Sequence, residues 1–392
     1  MVVIADDITG AAEIAGIAFE SGEQVRLLCG CAKGCDAVAA QETVVIATDT
    51  RSMSEADAVA ETLHLMSKPS ILHPPSSTLH PPSSTLFKKT DSALRGHVVA
   101  ELTALMEATG YGRAVYLPAN PSKGRTIRQG VYYINNVPIH ETAFSYDPEF
   151  PARTSVLEER FPDAKAKGII MPDAESEEDI RNVIARYNDG KTLFAGAADL
   201  FTALQTHPRP LPVPVPNREG QGGGSSTLIL CGSTQSKPLE IGIPVCPMPR
   251  EVYDGVQSAS DWFQSLNENS QFSILNSPPS TLHPQLSTLN FPPSLILTIP
   301  YTHRTGKEVA VHLRTVMAEM AKRLVTRHCP DELIIEGGAT AWATLQALGW
   351  TDFTITAQWA PGVVQMRAAN GVLVTLKPGS YPWGTMLSSC KV

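Results

Sequence analysis

Residues 2–22, VVIADDITGAAEIAGIAFESG, decide how this chain is read. Val2 to Ala5 form a short apolar run with no polar alternation, the mark of a strand buried on both faces. Asp6 and Asp7 break that run. From Ala11 onward, apolar residues recur at helical spacing and stop at Gly22. A buried strand that passes through a polar turn into a helix opens a βαβ unit, and that implies a parallel sheet.

The same theme repeats outward from this stretch. VRLL (25–28) and TVVIAT (43–48) read as strands, followed by a helix over 54–67. LFKKTDS (86–92) leads into the helical HVVAELTALMEATG (97–110), and RAVYLP (113–118) is another strand. GVYYINNVPIHET predicts a hairpin, because Asn135-Asn136 tolerates the positive φ of a tight turn. GIIMP (168–172), a helix over 176–189 and TLFAGAADLFTAL (192–204) complete the N-terminal half. Proline alternation and then a glycine run over 206–226 mark a linker. Beyond it come TLILCGST (227–234), SLILTIP (294–300), a helix over 305–328, ELIIEGG (332–338) with the helix TAWATLQALG, and the β-rich FTITAQ and GVLVTLK. The expectation is therefore an α/β fold with an N-terminal domain over 1–205 and a C-terminal domain over 227–392. Each is built on its own largely parallel sheet.

The 392 residues carry 39 Asp+Glu against 31 Lys+Arg, a net charge of −8. Such a surface repels phosphate backbones and anionic lipid, so no nucleic-acid or membrane partner is expected. The N-terminus lacks the basic and long apolar regions of a signal peptide, and no run approaches bilayer length, so a cytoplasmic protein is expected. Seven irregularly spaced cysteines do not make a disulfide framework. The cluster Cys29, Cys31 and Cys35 lacks the fourth ligand of a closed zinc site and reads as reduced thiols. HPPSSTL occurs twice in tandem within 71–87 and degenerately within 276–294, which marks surface-loop insertions. Their histidines, His73, His80 and His283, are set aside as catalytic candidates.

Polar clusters fall at successive strand ends, where open parallel sheets bind ligands. Asp6-Asp7 follow the first strand, and adjacent carboxylates there are costly unless they hold a cation or hydroxyls. Asp49-Thr50-Arg51 follow another, and Arg51 offers a planar fork for a carboxylate. Lys88-Lys89-Thr90-Asp91-Ser92-Ala93-Leu94-Arg95-Gly96 joins cations, a carboxylate and a hydroxyl at a helix N-terminus, a set suited to a small polyhydroxy acid. In the C-terminal half, Glu336-Gly337-Gly338-Ala339-Thr340, Gly232-Ser233 and Lys377-Pro378-Gly379-Ser380 are glycine/hydroxyl turns of the sort that lets amides approach a phosphate. Gly190-Lys191-Thr192 is a false P-loop, because Ala185 occupies its first glycine position and a helix precedes it. Ile8 stands where an aspartyl-phosphate phosphatase needs its second Asp.

Taken in order, IADDITGAAEIAG, DTR, KKTDSALRG, LPANPSKGRTIRQGVYYINNVPIHET with SYDP, CGST, EGGATA, APGV and LKPGS resemble the four-carbon acid sugar kinase family over nearly the whole chain. The resemblance implies an ATP-dependent sugar-acid kinase using Mg²⁺, with a sugar-acid domain, a nucleotide domain and the active site in the interdomain cleft. It implies catalytic roles for Asp7 and Asp91, and substrate contacts from Asp6, Arg51, Lys89, Ser92 and Arg95. Nucleotide contacts would come from Ser233, Gly337, Gly338, Ala339, Thr340 and Gly379, while the metal ligands stay unassigned. The family's last motif reads Lys-Ser-Gly-Gly-Phe-Gly, whereas here Lys377-Pro378-Gly379-Ser380-Tyr381-Pro382-Trp383-Gly384 replaces two N–H donors with prolines. The alternatives are a non-catalytic sugar-acid-binding protein and a phosphosugar phosphatase. Monomer and homodimer are both open.

Overall fold

The computed structural model describes residues 1–30, 42–68, 86–147, 149–205, 226–232, 241–268 and 294–379. The proline-rich repeats up to residue 85 and from 276 to 293, nearly all of the linker, Cys31, Cys35, Ser233 and everything from Ser380 onward lie outside the described residues. The chain divides into two compact units. One comprises Met1–Pro214 with Thr351–Met366, and the other Val215–Trp350 with Arg367–Val392.

In the first unit, β1 (Val2–Ala5) is buried at every position and runs through the turn at Asp6-Asp7 into α1 (Ile8–Glu20). The Asp7 carboxylate caps α1 by accepting from the Gly10 amide at 2.8 Å. Then follow β2 (Gln24–Cys29), β3 (Glu42–Ala47), α2 (Glu55–Met66), β4 (Leu86–Lys89), α3 (Val98–Thr109) and β5 (Arg113–Leu117). A small antiparallel ribbon comes next, with β6 (Arg125–Arg128), β7 (Val131–Ile134) and β8 (Val137–Pro138). Its last turn places Asn135 and Asn136 at φ 50° and 65°, as a tight hairpin requires. β9 (Ile169–Ile170), α4 (Glu177–Tyr187), β10 (Thr192–Gly196) and α5 (Ala198–Leu204) follow, and Gly190, at φ 73°, turns the chain between α4 and β10.

In the second unit come β11 (Thr227–Cys231), β12 (Val245–Pro247), α6 (Ala259–Glu268), β13 (Ser294–Thr298), α7 (Lys307–His328), β14 (Glu332–Glu336) and α8 (Gly338–Leu348). β15 (Asp352–Ala360) and most of β16 (Val363–Ala368) belong to the first unit, and β17 (Leu373–Lys377) to the second.

Pairing in the first unit runs β16-β15-β2-β3-β1-β4-β10-β5-β9, and the segment from β2 to β9 is parallel throughout. The second unit has the parallel order β12-β13-β11-β14-β17. FTITAQ, expected with the C-terminal half, instead joins the first sheet. β15 lies antiparallel to β2, with Asp352 opposite Leu28, and Arg26 Nη2 donates to Asp352 Oδ2 at 2.7 Å. α1 supports this return strand closely, because a Cβ on Gly16 would overlap the Gln358 side chain and come within 2.9 Å of Val364. Among the described residues, no helix is long and apolar enough to cross a membrane, and no group of three acidic, His or Cys side chains could hold a metal ion.

Candidate functional site

β1 is the pivot of the first sheet, with β3 on one side and β4 on the other. A parallel sheet sends all its carboxyl ends to one edge, and the place where winding changes direction leaves a crevice there. Asp6-Asp7 leave β1 at that edge, Arg51 follows β3, and Lys89 to Arg95 follow β4. The two strands beside β1 thus bring together candidates more than 40 residues apart in sequence.

Arg51 sits on a single 3-10 turn entered through Asp49, whose φ of 57° is left-handed and whose carboxylate accepts from Ser52 Oγ at 3.0 Å. Its Nε and Nη2 donate to Asp6 Oδ2 and Oδ1 at 3.1 and 2.9 Å, and its Nη1 donates to Asp7 Oδ2 at 3.0 Å. The same Nη1 lies 3.8 Å from Asp91 Oδ1. Asp91 accepts from Arg95 Nε at 2.7 Å and Nη2 at 3.0 Å, and from the amides of Ala93 at 3.1 Å and Arg95 at 3.3 Å. Gly96, at φ 95°, lets the loop pass close to this group, since a Cβ there would stand 3.3 Å from Asp6 Oδ2.

The three carboxylates differ in proton affinity. Burial raises Asp6 above the ordinary carboxylate value, and Arg51 offsets only part of that. At Asp7 burial acts in the same sense, but Arg51 and Lys89 outweigh it, so Asp7 is lowered. Burial also opposes ionisation of Asp91, yet Arg51 and Arg95 together hold it far below the usual range. Arg51 is correspondingly raised by Asp6 and Asp7 against the cost of its burial.

Consecutive strand residues face opposite sides of a sheet, so Lys88 and Lys89 serve different networks. Lys89 Nζ donates to the Thr90 carbonyl at 3.0 Å and lies 3.5 Å from Glu13 of α1, which also pairs with Lys123. Lys88 forms a buried ion pair with Glu101 of α3, and Thr50 Oγ1 donates to the same carboxylate at 3.1 Å. Ser92 contacts the Arg125 guanidinium, while Tyr132 Oη donates to the Ser92 carbonyl at 2.5 Å. The Phe144 ring lies 5.7 Å from the Arg95 guanidinium and 5.9 Å from that of Arg125. Sequence reasoning missed Glu13, Glu101, Arg125, Tyr132 and Phe144. Glu101 did leave a signal, as an isolated carboxylate within the apolar VVAELTALM.

In the second unit the pivot is β11, flanked by β13 and β14. Gly232 follows β11, Gly337 follows β14, and Pro378-Gly379 follow β17. Gly337, at φ 97°, precedes α8 without a side-chain cap, so the first-turn amides of Gly338, Ala339 and Thr340 form an uncapped, positively polarised helix end. Backbone bonds tie the turns together: the Gly232 amide donates to Glu336 O at 3.2 Å, and the Gly337 amide to Lys377 O at 2.9 Å. Thr340 is buried against Gly232, where a Cβ would overlap its side chain. Beneath the turns, Lys377 Nζ and Glu336 Oε1 form a buried ion pair at 2.5 Å, and Lys377 also donates to Pro378 O at 3.1 Å. Gly379 is half-buried at the end of this stretch, and Ser233 is among the residues not described.

Comparison with known proteins matches two family models in succession along the chain. Residues 1–162 match a family model described as a sugar-binding N-terminal domain, and residues 299–381 match one described as a nucleotide-binding C-terminal domain. A D-threonate kinase of Salmonella typhimurium is 30% identical over 52% of this chain, which spans 53% of that enzyme's length. A 3-oxo-tetronate kinase of Brucella melitensis is 26% identical over 97% of this chain and 92% of its own. Among solved structures, a Haemophilus influenzae protein of domain-of-unknown-function family 1537 superposes with a TM-score of 0.67 at 20% identity, covering 100% of this chain and 99% of its own. With both domains matched in that order, the chain belongs to the four-carbon acid sugar kinase family.

Proposed function

We propose that this protein transfers the γ-phosphoryl group of ATP to a hydroxyl, the terminal one, of a four-carbon sugar acid such as threonate, erythronate or an oxo-tetronate. The observation that carries the reading is the meeting of Asp6, Asp7, Arg51, Asp91 and Arg95 at the carboxyl ends of the strands around β1. Cations there suit a carboxylate, and ionised acceptors suit hydroxyls.

The two arginines divide the work. Arg51 spends its fork on Asp6 and Asp7 and positions both. Arg95 gives Nε and Nη2 to Asp91 and its Nη1 lies 3.5 Å from Asp147, but its side chain is 30% exposed against 15% for Arg51, so Arg95 is the guanidinium that a substrate carboxylate reaches. Lys89 and Ser92 border the same space. Asp91, ionised at any physiological pH, orients the attacking hydroxyl and accepts its hydrogen bond, with Asp7 as the second acceptor. Phosphoryl transfer asks mainly for alignment and charge neutralisation, so a strongly basic carboxylate is unnecessary.

On the nucleotide side, the uncapped start of α8 at Gly337 to Thr340, together with Gly379 and Ser233, would receive the phosphates. Mg²⁺ brought in with the ATP would supply charge neutralisation for the transferred group. A coupled ADP-release assay with Mg-ATP against D- and L-threonate, D- and L-erythronate and the 3-oxo acids tests the reading. Substrate-dependent ADP release supports it. Silence across the panel in folded protein overturns it in favour of a binding protein, and phosphate release from a sugar phosphate without nucleotide overturns it in favour of a phosphatase.

A further inference from the structure

The strands of the second unit carry a group of aromatic rings on the same edge as the glycine turns. Tyr253 ends a one-turn helix, Arg250–Tyr253, that follows β12, and Tyr301 and His303 follow β13. Both segments therefore emerge at carboxyl ends of the parallel strands. The Tyr253 and His303 ring centroids are 4.8 Å apart with planes at 49°, Tyr253 and Tyr301 are 5.3 Å apart at 59°, and Tyr301 and His303 are 6.0 Å apart at 72°, so the rings are tilted to one another and enclose a corner. Tyr253 is fully buried beneath, while the His303 side chain is 45% exposed and Tyr301 is half-buried. The His303 ring thus packs against buried Tyr253 while nearly half of its side-chain surface stays in solvent.

The loop bearing these rings is polar and exposed, yet it is held. The Arg304 amide donates to Tyr253 Oη at 3.2 Å, Tyr253 Oη donates to Arg304 O at 3.3 Å, and Arg304 Nη1 donates to Tyr253 O at 3.1 Å. His303 Nε2 lies 3.1 Å from Asp254 Oδ1, which fixes the plane of the imidazole. Bonds of this kind order side chains that solvent would otherwise leave to rotate, and preorganisation lowers the entropic cost of receiving a planar ligand.

The spacing suits a nucleotide. β13 is two strands from β14, with β11 between them, which is roughly 10 Å across the sheet. A nucleotide with its phosphates at the start of α8 spans that distance to its base. We infer that the nucleobase of the phosphoryl donor stacks on the exposed His303 ring, with the Tyr301 ring standing at 72° beside it as an edge-to-face wall and Tyr253 backing both. This rests on the nucleotide reading above and adds to it the residues that hold the base. Stacking on a ring reads the π-face of a base and not its hydrogen-bonding edge, so it contributes affinity without choosing among purines.

The test is calorimetric titration of the full chain with ADP and, separately, with inorganic tripolyphosphate, in wild type, in a Tyr301→Leu/His303→Ala variant and in His303→Phe. Stacking predicts an ADP affinity about ten- to hundredfold weaker in the double variant, an unchanged tripolyphosphate affinity, and near-wild-type ADP binding in His303→Phe. Turnover should show a raised KM for ATP with kcat nearly constant, because the base lies far from the reacting atoms. Unchanged ADP affinity in the double variant overturns the stacking site. Parallel loss of tripolyphosphate also overturns it, since the rings would then be shaping the phosphate turns. If wild type binds tripolyphosphate and no ADP, the nucleotide reading itself fails.

Discussion

Replacing Lys88 by Met isolates a charge in the interior of the first sheet. The Lys88 and Glu101 side chains are 1% and 2% exposed, and Lys88 lies opposite Ile4 on one neighbouring strand and Ala195 on the other. Water cannot reach the Glu101 carboxylate once its partner is gone. Breaking a buried pair by removing one member costs about 3–5 kcal/mol, chiefly because the survivor is left uncompensated. The Thr50 hydroxyl still donates to Glu101 at 3.1 Å, a bond worth about 1 kcal/mol, which places Lys88→Met in the lower half of that range. In a unit of this size each kcal/mol moves the melting temperature by about 2–4 °C, so about 3–4 kcal/mol corresponds to roughly 6–16 °C. The double variant Lys88→Met/Glu101→Leu should recover most of the loss, because an apolar pair of similar volume carries no desolvation cost. The assay is calorimetric melting of wild type, both single variants and the double variant, with the first-unit transition followed. A shift under about 2 °C for Lys88→Met, or single effects that simply add in the double variant, would refute the claim that the pair is dry and coupled.

Four further outcomes follow from the geometry. Asp91→Asn should lower kcat by about 10²–10⁴-fold with KM changed only a few-fold, as read by ADP release; near-normal turnover would remove Asp91 from the chemistry. The same variant should change the acid limb of stability. Because Asp91 is lowered in the folded state, its contribution is present above the unfolded carboxylate value of about 3.9 and fades as pH falls below it, so the melting gap between wild type and Asp91→Asn should narrow from pH 5 to pH 3. Gly232→Ala would drive a Cβ into the Thr340 side chain, part β11 from the start of α8 and weaken ADP binding measured by titration; unchanged binding would show that the two elements can separate freely. Gly16→Ala should cost about 1–3 kcal/mol by overpacking α1 against Gln358 and Val364, read as a lower melting temperature, and a neutral result would mean that β15 is not held against α1 as described.

The strands and helices around β1 were legible because their apolar runs are short, uninterrupted and ended by polar residues. The Asn135-Asn136 turn was legible because few residues accept positive φ twice in succession. The pairing partner of β15 was not. Its residues alternate between buried and less buried positions along all nine, which specifies a strand but not which sheet receives it, and Asp352 finds Arg26 across more than 300 residues. β12 was missed for a related reason, since three residues ending in Pro247 carry too little pattern to be read as a strand.

The site shows the same divide more sharply. Asp6, Asp7, Arg51, Asp91 and Arg95 could be nominated from their places at strand ends, because a parallel sheet sends every such place to one edge. Their division of roles could not, because it comes from which guanidinium each carboxylate meets. Asp6 and Asp7 are adjacent in sequence and share Arg51, yet they are displaced in opposite directions. Arg51 gives two donors to Asp6 and one to Asp7, but Asp7 also has Thr9 and the field of Lys89, and these tip the balance against burial. Lys89 can exert that field because Glu13 and the Thr90 carbonyl hold its ammonium on the α1 side of the sheet, while its neighbour Lys88 turns to Glu101 on the other. A one-residue slip of β4 would turn each lysine to the opposite face of the sheet and so alter the fields that set the proton affinities at the site. The register of β4 against β1, with Lys89 beside Ala5 and Lys88 beside Ile4, is therefore as much a determinant of the chemistry as any carboxylate it positions.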